Sequence, residues 1–263
     1  DFTIEGGAEG GVAVKNAKQA SLSGLNFKNL FVTGLTIEKS EYITVKDCNF
    51  NVRAEVDYYC GDSKTLRPGR VVFNNCYFAN WTDFIDDGLH IGGVGNIIRN
   101  CEFTSTRHQA ITIGQGNDII IENCEIYDTN QTSSDAGAIY SGRTWRTTGN
   151  ILKNNAFHDI SDAAHAVYWD DGECGNREIS NIFFNSGGTQ IKGASIDSLV
   201  DSNVFIKTGS GILDLRQYYG ADKIDENTHI KQLIASLNAV PFNNAFWSSK
   251  FPYLKNRYEE GLY

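Results

Sequence analysis

Short apolar stretches recur along this chain in one fixed internal order. Each has an apolar strand, an Asn or similar turn residue, a small residue, any residue, and then Phe. The copies read ITVKDCNF (43–50), VVFNNCYF (71–78), NIIRNCEF (96–103), DIIIENCEI (118–126), NILKNNAF (150–157), EISNIFF (178–184) and SLVDSNVF (198–205). An earlier copy ends at Phe27. The aromatic or Ile position then falls at Phe27, Phe50, Phe78, Phe103, Ile126, Phe157, Phe184 and Phe205, at spacings of 21 to 31 residues. That is the length of one coil of a parallel β-helix.

A coil of three short strands cannot bury its apolar face alone. Stacking coils joins those faces into one core, with strands of neighbouring coils about 4.8 Å apart and equivalent residues in ladders. The pattern therefore predicts an all-β, right-handed parallel β-helix, the usual hand for parallel crossovers. The Asn column (Asn75, Asn100, Asn123, Asn154, Asn181) suits a turn in the left-handed region. The next column is Cys48, Cys76, Cys101 and Cys124, continued by Asn155, Ile182 and Asn203. Stacked Cys here are expected to be small buried hydrophobes rather than disulfides or a metal site. Cys60 and Cys174 lie outside the column and either pair or stay free.

The coils span residues 1–217. Beyond them, Ile224, Ile230, Leu233, Ile234 and Leu237 fall near helical spacing within 221–239. Residues 218–263 are expected to form a helix that covers the open end of the stack, followed by an aromatic-rich tail on the same domain.

A second strand column aligns as LHIGG (89–93), ITIGQ (111–115), IYSGR (139–143), VYWDD (167–171), IKGA (191–194) and LDLRQ (213–217). Alternation sends Leu89, Ile91, Ile111, Ile113, Ile139, Val167, Ile191 and Leu213 inward. The outward row is then His90, Thr112, Tyr140, Tyr168, Lys192 and Asp214. Two positions earlier lie Gly88, Ala110, Ala138, Ala166, Gln190 and Ile212, also assigned outward. A row of tiny residues beside a polar-aromatic row predicts a shallow trough for an extended chain ligand such as a polysaccharide or oligosaccharide.

Composition narrows the partners. The 263 residues carry a formal charge of -9 with Lys and Arg scattered, which argues against nucleic acid. No apolar run approaches the roughly 18 residues of a membrane span. The chain contains no Met, and its first residues already read as strand, so it is expected to be a processed form or part of a longer protein. A carbohydrate-acting chain of this kind is expected to be secreted, periplasmic or at the cell surface.

Acidic clusters border the trough at Asp86-Asp87, Asp135 and Asp170-Asp171. Glycosidases use two carboxylates, about 5 Å apart for retention and roughly 6.5–9.5 Å for inversion. Asp135, Asp170 and Asp171 are the catalytic candidates. His90, Tyr140, Arg143, His165, Tyr168, Trp169 and Lys192 are the substrate-binding candidates. The alignment places Asp135 before its strand and Asp170 after the next, near 20 Å apart at about 3.3 Å per residue. A direct pair requires the segment Asp128–Gly137 to fold back over the trough; otherwise Asp170 and Asp171, with Asp214 or a residue outside the repeat, become the acid/base candidates.

Two blocks, DAGAIYSGRTWRTTGNILKNNAFHDI (135–160) and AVYWDDGECGN (166–176), resemble conserved blocks of bacterial β-helix proteins related to pectate lyases. Some of those are grouped with glycoside hydrolase family 141. The tail VPFNNAFWSSKFPYL (240–254) is similar to the ending of the same proteins. The resemblance implies a paired-Asp hydrolase, carried onto Asp135 and Asp170 or Asp171. The chain departs from the pattern at Thr144, where the family often has Asp, and at Trp169, where Leu is common.

The primary expectation is a glycoside hydrolase that requires no cofactor. The alternative is a polysaccharide lyase, with Lys192, Arg143 or Arg216 removing a proton beside a uronate and Tyr140, Tyr168 or His90 assisting. A lyase would accommodate Ca²⁺ held by clustered carboxylates, Asp86 and Asp87 among them. A third reading is a non-catalytic carbohydrate-binding or adhesin-like module.

Overall fold

A computed structural model describes residues 2–8, 10–79, 87–142, 147–170, 173–193 and 197–214. The expected C-terminal helix and tail lie outside the described residues, and the coils are described through Asp214. Among the described residues, three parallel sheets of nine, eight and nine strands wrap one core. Each coil contributes one strand to each sheet in turn, as in Ile97–Arg99, Glu102–Thr104 and Ile111–Asn117. We call these sheets C, A and B respectively. One antiparallel pair, Gly61–Asp62 with Arg67–Pro68, stands apart from them. The expected parallel β-helix is the observed architecture.

The Phe ladder lies on the inner face of sheet A. Phe27, Phe50, Phe78, Phe103, Ile126 and Phe157 occupy equivalent positions in successive coils. Rings stack face to face at 4.7 Å (Phe27–Phe50), 4.7 Å (Phe50–Phe78) and 4.5 Å (Phe78–Phe103). The spacing of rings thus copies the spacing of strands, and each buried Phe contributes about 2–3 kcal/mol.

The turn from sheet C into sheet A uses the left-handed region in every repeat. Asn75, Asn100, Asn123 and Asn154 have φ of 54°, 53°, 54° and 56°. In the next coil, however, Ser180 takes this position with φ of 57°, and Asn181 does not. The ladder residue is correspondingly Phe183, paired with Phe157 and Phe205, and not the expected Phe184. Phe184 faces outward and stacks on His158 at 4.6 Å. The adjacent phenylalanines make both registers compatible with the turn-to-Phe spacing, and side-chain chemistry decides between them.

Asn181 is more useful inside, where it continues the Cys column in place of the expected Ile182. Asn155 and Asn181, both buried, and half-buried Asn203 form an amide ladder. The Oδ1 of Asn181 accepts from Asn155 N and Nδ2 at 3.0 Å each, and its Nδ2 donates to Leu152 O and Asn203 Oδ1 at 3.0 Å each. The amides satisfy corner backbone groups that would otherwise be buried without partners. All six cysteines are buried and none is in a disulfide, so Cys60 and Cys174 do not pair. Burial pushes the Cys60 thiol up to about 12.

Candidate functional site

The working surface is the outer face of sheet B. Register joins Leu89, Ile111, Ile139, Val167, Ile191 and Leu213 as the inward row. The outward row, His90, Thr112, Tyr140, Tyr168, Lys192 and Asp214, is in continuous register across six coils, as the alternation predicts. Leu213, in the last described strand, is 43% exposed.

Of the expected second outward row, Ile212 in the last described strand is 47% exposed, but Gly88, Ala110, Ala138, Ala166 and Gln190 are buried. Ala110, Ala138 and Ala166 are fully buried members of the core, and Gln190 is fully buried with its amide donating to Ser186 O, Gly187 O and Gly188 O. These positions sit where the chain turns into sheet B. Alternation breaks there: Ala166 and Val167 are both buried, and half-exposed His165 faces outward instead.

Five side chains of the outer face form a connected group. The Tyr140 hydroxyl donates to Asp170 Oδ2 at 2.8 Å. Tyr140 and Tyr168 meet edge to face at 5.6 Å, and His165 meets Tyr168 likewise at 5.2 Å. Lys192 Nζ lies 4.2 Å from the centre of the Tyr168 ring, a cation–π contact. These neighbours leave Tyr168 only 5% exposed. Burial lowers the His165 pKa, the Lys192 charge lowers it further, and Asp135 and Asp214 act in the opposite direction. The imidazole is therefore biased to its neutral form, with Nδ1 against the Thr189 backbone.

Asp170 is held by the chain beneath it. It follows the strand that ends at Trp169, its N–H donates to Ser141 O at 2.7 Å, and Gly142 lies directly against it. A Cβ on Gly142 would fall 2.3 Å from Asp170 Cβ, so only glycine fits. Two coils before Tyr140 on the outward row, His90 Nδ1 lies 3.6 Å from Asp87 Oδ2, with the ring across Gly114.

Asp135 and Asp170 do not approach each other. Residues 130–132 hydrogen-bond to Thr106, Arg107 and His108 at the equivalent corner of the preceding coil, so this segment does not fold back over the sheet. Asp135 is exposed beside the start of its strand, where its charge acts on His165. Asp170 lies five residues past His165, about 17 Å along the strand at roughly 3.3 Å per residue. Trp169 is not a trough residue either. Alternation turns it inward, 1% exposed, with its indole N–H donating to Glu178 Oε1. Arg143, Asp171, Asp86 and Arg216 lie outside the described residues. Among the described residues no three His, Cys, Asp or Glu side chains gather as a metal site.

Two buried acids behind the site escaped the sequence pattern. Glu173, 1% exposed, donates its N–H to Asp170 O and accepts from Ser141 Oγ at 2.9 Å and Asn176 Nδ2 at 3.2 Å. Glu178 occupies an inward position in register with Leu152 and Val200. Burial pushes its carboxyl up to about 8. For Glu173 the available signal was an inward polar residue, Ser141, one coil earlier. Glu178 was hidden by the one-residue slip in the 178–184 repeat.

No curated protein matches this chain. The crystal structure of alginate lyase from Paenibacillus sp. str. FPU-7 aligns with 80% of this chain and 99% of that one, at 12% identity and a TM-score of 0.39. The family model described as "Right handed beta helix region" matches residues 55–213, more than half of the sequence and all of the coils that carry the site. With its stacked coils, outward row and family match in agreement, the chain belongs to the right-handed β-helix family.

Proposed function

We propose that this β-helix is a polysaccharide-acting enzyme that cleaves beside a uronate by β-elimination. The observation that carries this reading is the connected group Lys192–Tyr168–Tyr140–Asp170 on the outer face of sheet B. Elimination needs a cation for the uronate carboxylate, whose negative charge grows as the neighbouring proton leaves, and a group that moves that proton. Lys192, placed by the Tyr168 ring, is the cation. Tyr140 is the proton-transfer group: its oxygen takes the proton on the carbon next to the carboxylate while its own proton passes to Asp170. The electron pair of the broken C–H bond forms the new C=C bond, the glycosidic C–O bond breaks on its far side, and the leaving oxygen keeps that bond's electron pair and takes a proton from water. His165, biased to neutral, offers a ring N–H to the bound sugar.

Local charge shapes the substrate. Asp214 neighbours Lys192 in register, and the fields of Asp135 and Asp214 both reach His165. They repel a ligand charged at every sugar. A polymer in which uronates alternate with neutral sugars fits this balance better than a pure polyuronate.

Paired-acid hydrolysis is the second reading, and the resemblance of 135–160 and 166–176 to family 141 blocks favours it. The separation of Asp135 from Asp170 weighs against that pair, so hydrolysis would rest on Asp170 with Asp214 or Asp171. The test is product analysis over pectic, alginate, xylan and fucosylated polysaccharides. Ultraviolet-absorbing unsaturated ends support elimination, and new reducing ends without that absorbance overturn it in favour of hydrolysis. Binding without products would overturn both and favour a carbohydrate-binding module.

A further inference from the structure

Before His90 the outward row continues by one more coil, to Glu55. The chain leaving that strand makes a tight turn at residues 57–60 and carries two adjacent tyrosines at its tip. The turn is pinned at both ends. The Asp57 N–H donates to Ile37 O at 3.0 Å, and the Cys60 N–H closes the turn on Asp57 O at 3.2 Å. Asp57 Oδ1 accepts from the Tyr59 N–H at 2.7 Å. Cys60 is fully buried, and its carbonyl accepts from the Val94 N–H of the next coil at 2.9 Å. Turn tips usually carry small or polar residues. Here Tyr58 and Tyr59 are 45% and 52% exposed, with ring centres 3.9 Å apart and ring planes inclined by 38°. Lys39 Nζ lies 5.5 Å from the centre of the Tyr59 ring. Apolar residues scattered singly over a surface need no explanation, but a paired, rigidly mounted set does.

This turn stands on the same face as the candidate site. Gly92 lies two residues past His90 in one strand and so shares its outward direction. A Cβ on Gly92 would fall 3.0 Å from both N and Cα of Tyr58, so the turn rests on the outer side of sheet B at the coil of His90. His90 and Tyr140 are two coils apart in register, about 10 Å at about 4.8 Å per coil. We propose that Tyr58 and Tyr59 form a sugar-binding platform on the N-terminal side of the trough, which stacks one ring of the polysaccharide about two coils before Tyr140. A phenol ring covers the C–H face of a sugar while its hydroxyl meets the sugar hydroxyls, and with only two side-chain torsions it loses little freedom on binding. The opposite charges of Lys39 and Asp57 beside the pair offset each other, which suits the neutral sugar of an alternating polymer. That the ligand is a carbohydrate rests on the proposed function; the platform does not depend on which bond is broken.

Affinity electrophoresis through gels containing pectic, alginate, xylan or fucosylated polysaccharide tests the platform without requiring cleavage. The double variant Tyr58→Ala with Tyr59→Ala should bind the polymer that retards wild type about 3- to 10-fold more weakly. Tyr77→Ala, on the outer face of sheet A, should bind as wild type does. Equal retardation of wild type and the double variant overturns the proposal, as does an equal loss in Tyr77→Ala. A measurement on wild type alone covers the case of a double variant that does not fold. Saturating polymer should protect Tyr58 and Tyr59 from nitration by tetranitromethane, read by mass spectrometry, and undiminished nitration of both overturns the proposal. Sedimentation separates the other occupant of such a pair: a wild-type dimer that the double variant dissociates would make it a contact between two copies of this chain, and would also overturn the proposal. The two readings fail separately. Unsaturated products with unchanged affinity in the double variant remove the platform alone. Weakened binding with no unsaturated product keeps the platform and removes the elimination. Wild type that neither binds nor cleaves any of the four polymers overturns both.

Discussion

The Tyr140 hydroxyl donates to Asp170 Oδ2 at 2.8 Å, joining residues thirty positions apart on neighbouring coils. Both ends of this bond are fixed from below: Tyr140 by the β-ladder with Tyr168, and Asp170 by Gly142 and the Ser141 carbonyl. Tyr140→Phe should keep the fold and lower kcat by about 10²–10⁴-fold, the span of a lost general acid or base. Gly142→Ala should act at a distance on the same pair by displacing Asp170. Steady-state kinetics beside a thermal melt checks both, and full activity in Tyr140→Phe would remove the phenol from the mechanism.

Lys192 supplies charge through a contact with the Tyr168 ring. Lys192→Met keeps the apolar stem and deletes the charge. The expected loss in kcat/KM is about 10–100-fold, the scale of a hydrogen bond to a charged group. It should be larger on a uronate-bearing polymer than the change in binding to a neutral one, as read by calorimetry with both ligands.

The interior amide ladder makes a stability prediction. Asn181 exchanges four side-chain hydrogen bonds with Asn155, Leu152 and Asn203. Asn181→Ala leaves buried backbone groups without partners, at a cost of about 1–3 kcal/mol each. Denaturant unfolding should show a fall of several kcal/mol, whereas a change at the outward neighbour Ile182, 43% exposed, should be small.

Glu178 makes a pH prediction. Its folded pKa of about 8 lies above the unfolded value, so its favourable contribution is complete at acid pH. It is lost as pH rises from the unfolded value towards about 8, at up to about 1.4 kcal/mol per pH unit. Glu178→Gln should flatten the decline of Tm over that window while keeping the Trp169 N–H bonded to the new amide oxygen. An unchanged pH dependence would show that Glu178 is ionised in the folded protein.

The coil stack was legible because its physics repeats. Phe27, Phe50, Phe78 and Phe103 announce a ladder, and Asn75, Asn100, Asn123 and Asn154 announce the turn beside it. The outward row was legible for the same reason, since period-two alternation from Leu89 to Leu213 assigns His90, Tyr140, Tyr168 and Lys192 to one face. The slip at 178–184 shows the limit of pattern. Phe183 and Phe184 fit the spacing equally, and only the bonds available to a buried Asn181 select the register that places Glu178 inside. Ala138 and Ala166 were assigned outward because alternation cannot see the corner at which two successive side chains point in. The Asp135–Asp170 separation depended on the path of residues 128–136, which is set by bonds to the preceding coil and has no local signature.

The most direct measurement follows ultraviolet absorbance of unsaturated uronate ends while wild type and Tyr140→Phe act on a polysaccharide that alternates uronates with neutral sugars. Growing absorbance with wild type, nearly abolished by Tyr140→Phe at unchanged Tm, is the result this account predicts. Cleavage by wild type without that absorbance, or absorbance that grows equally with the variant, would contradict it.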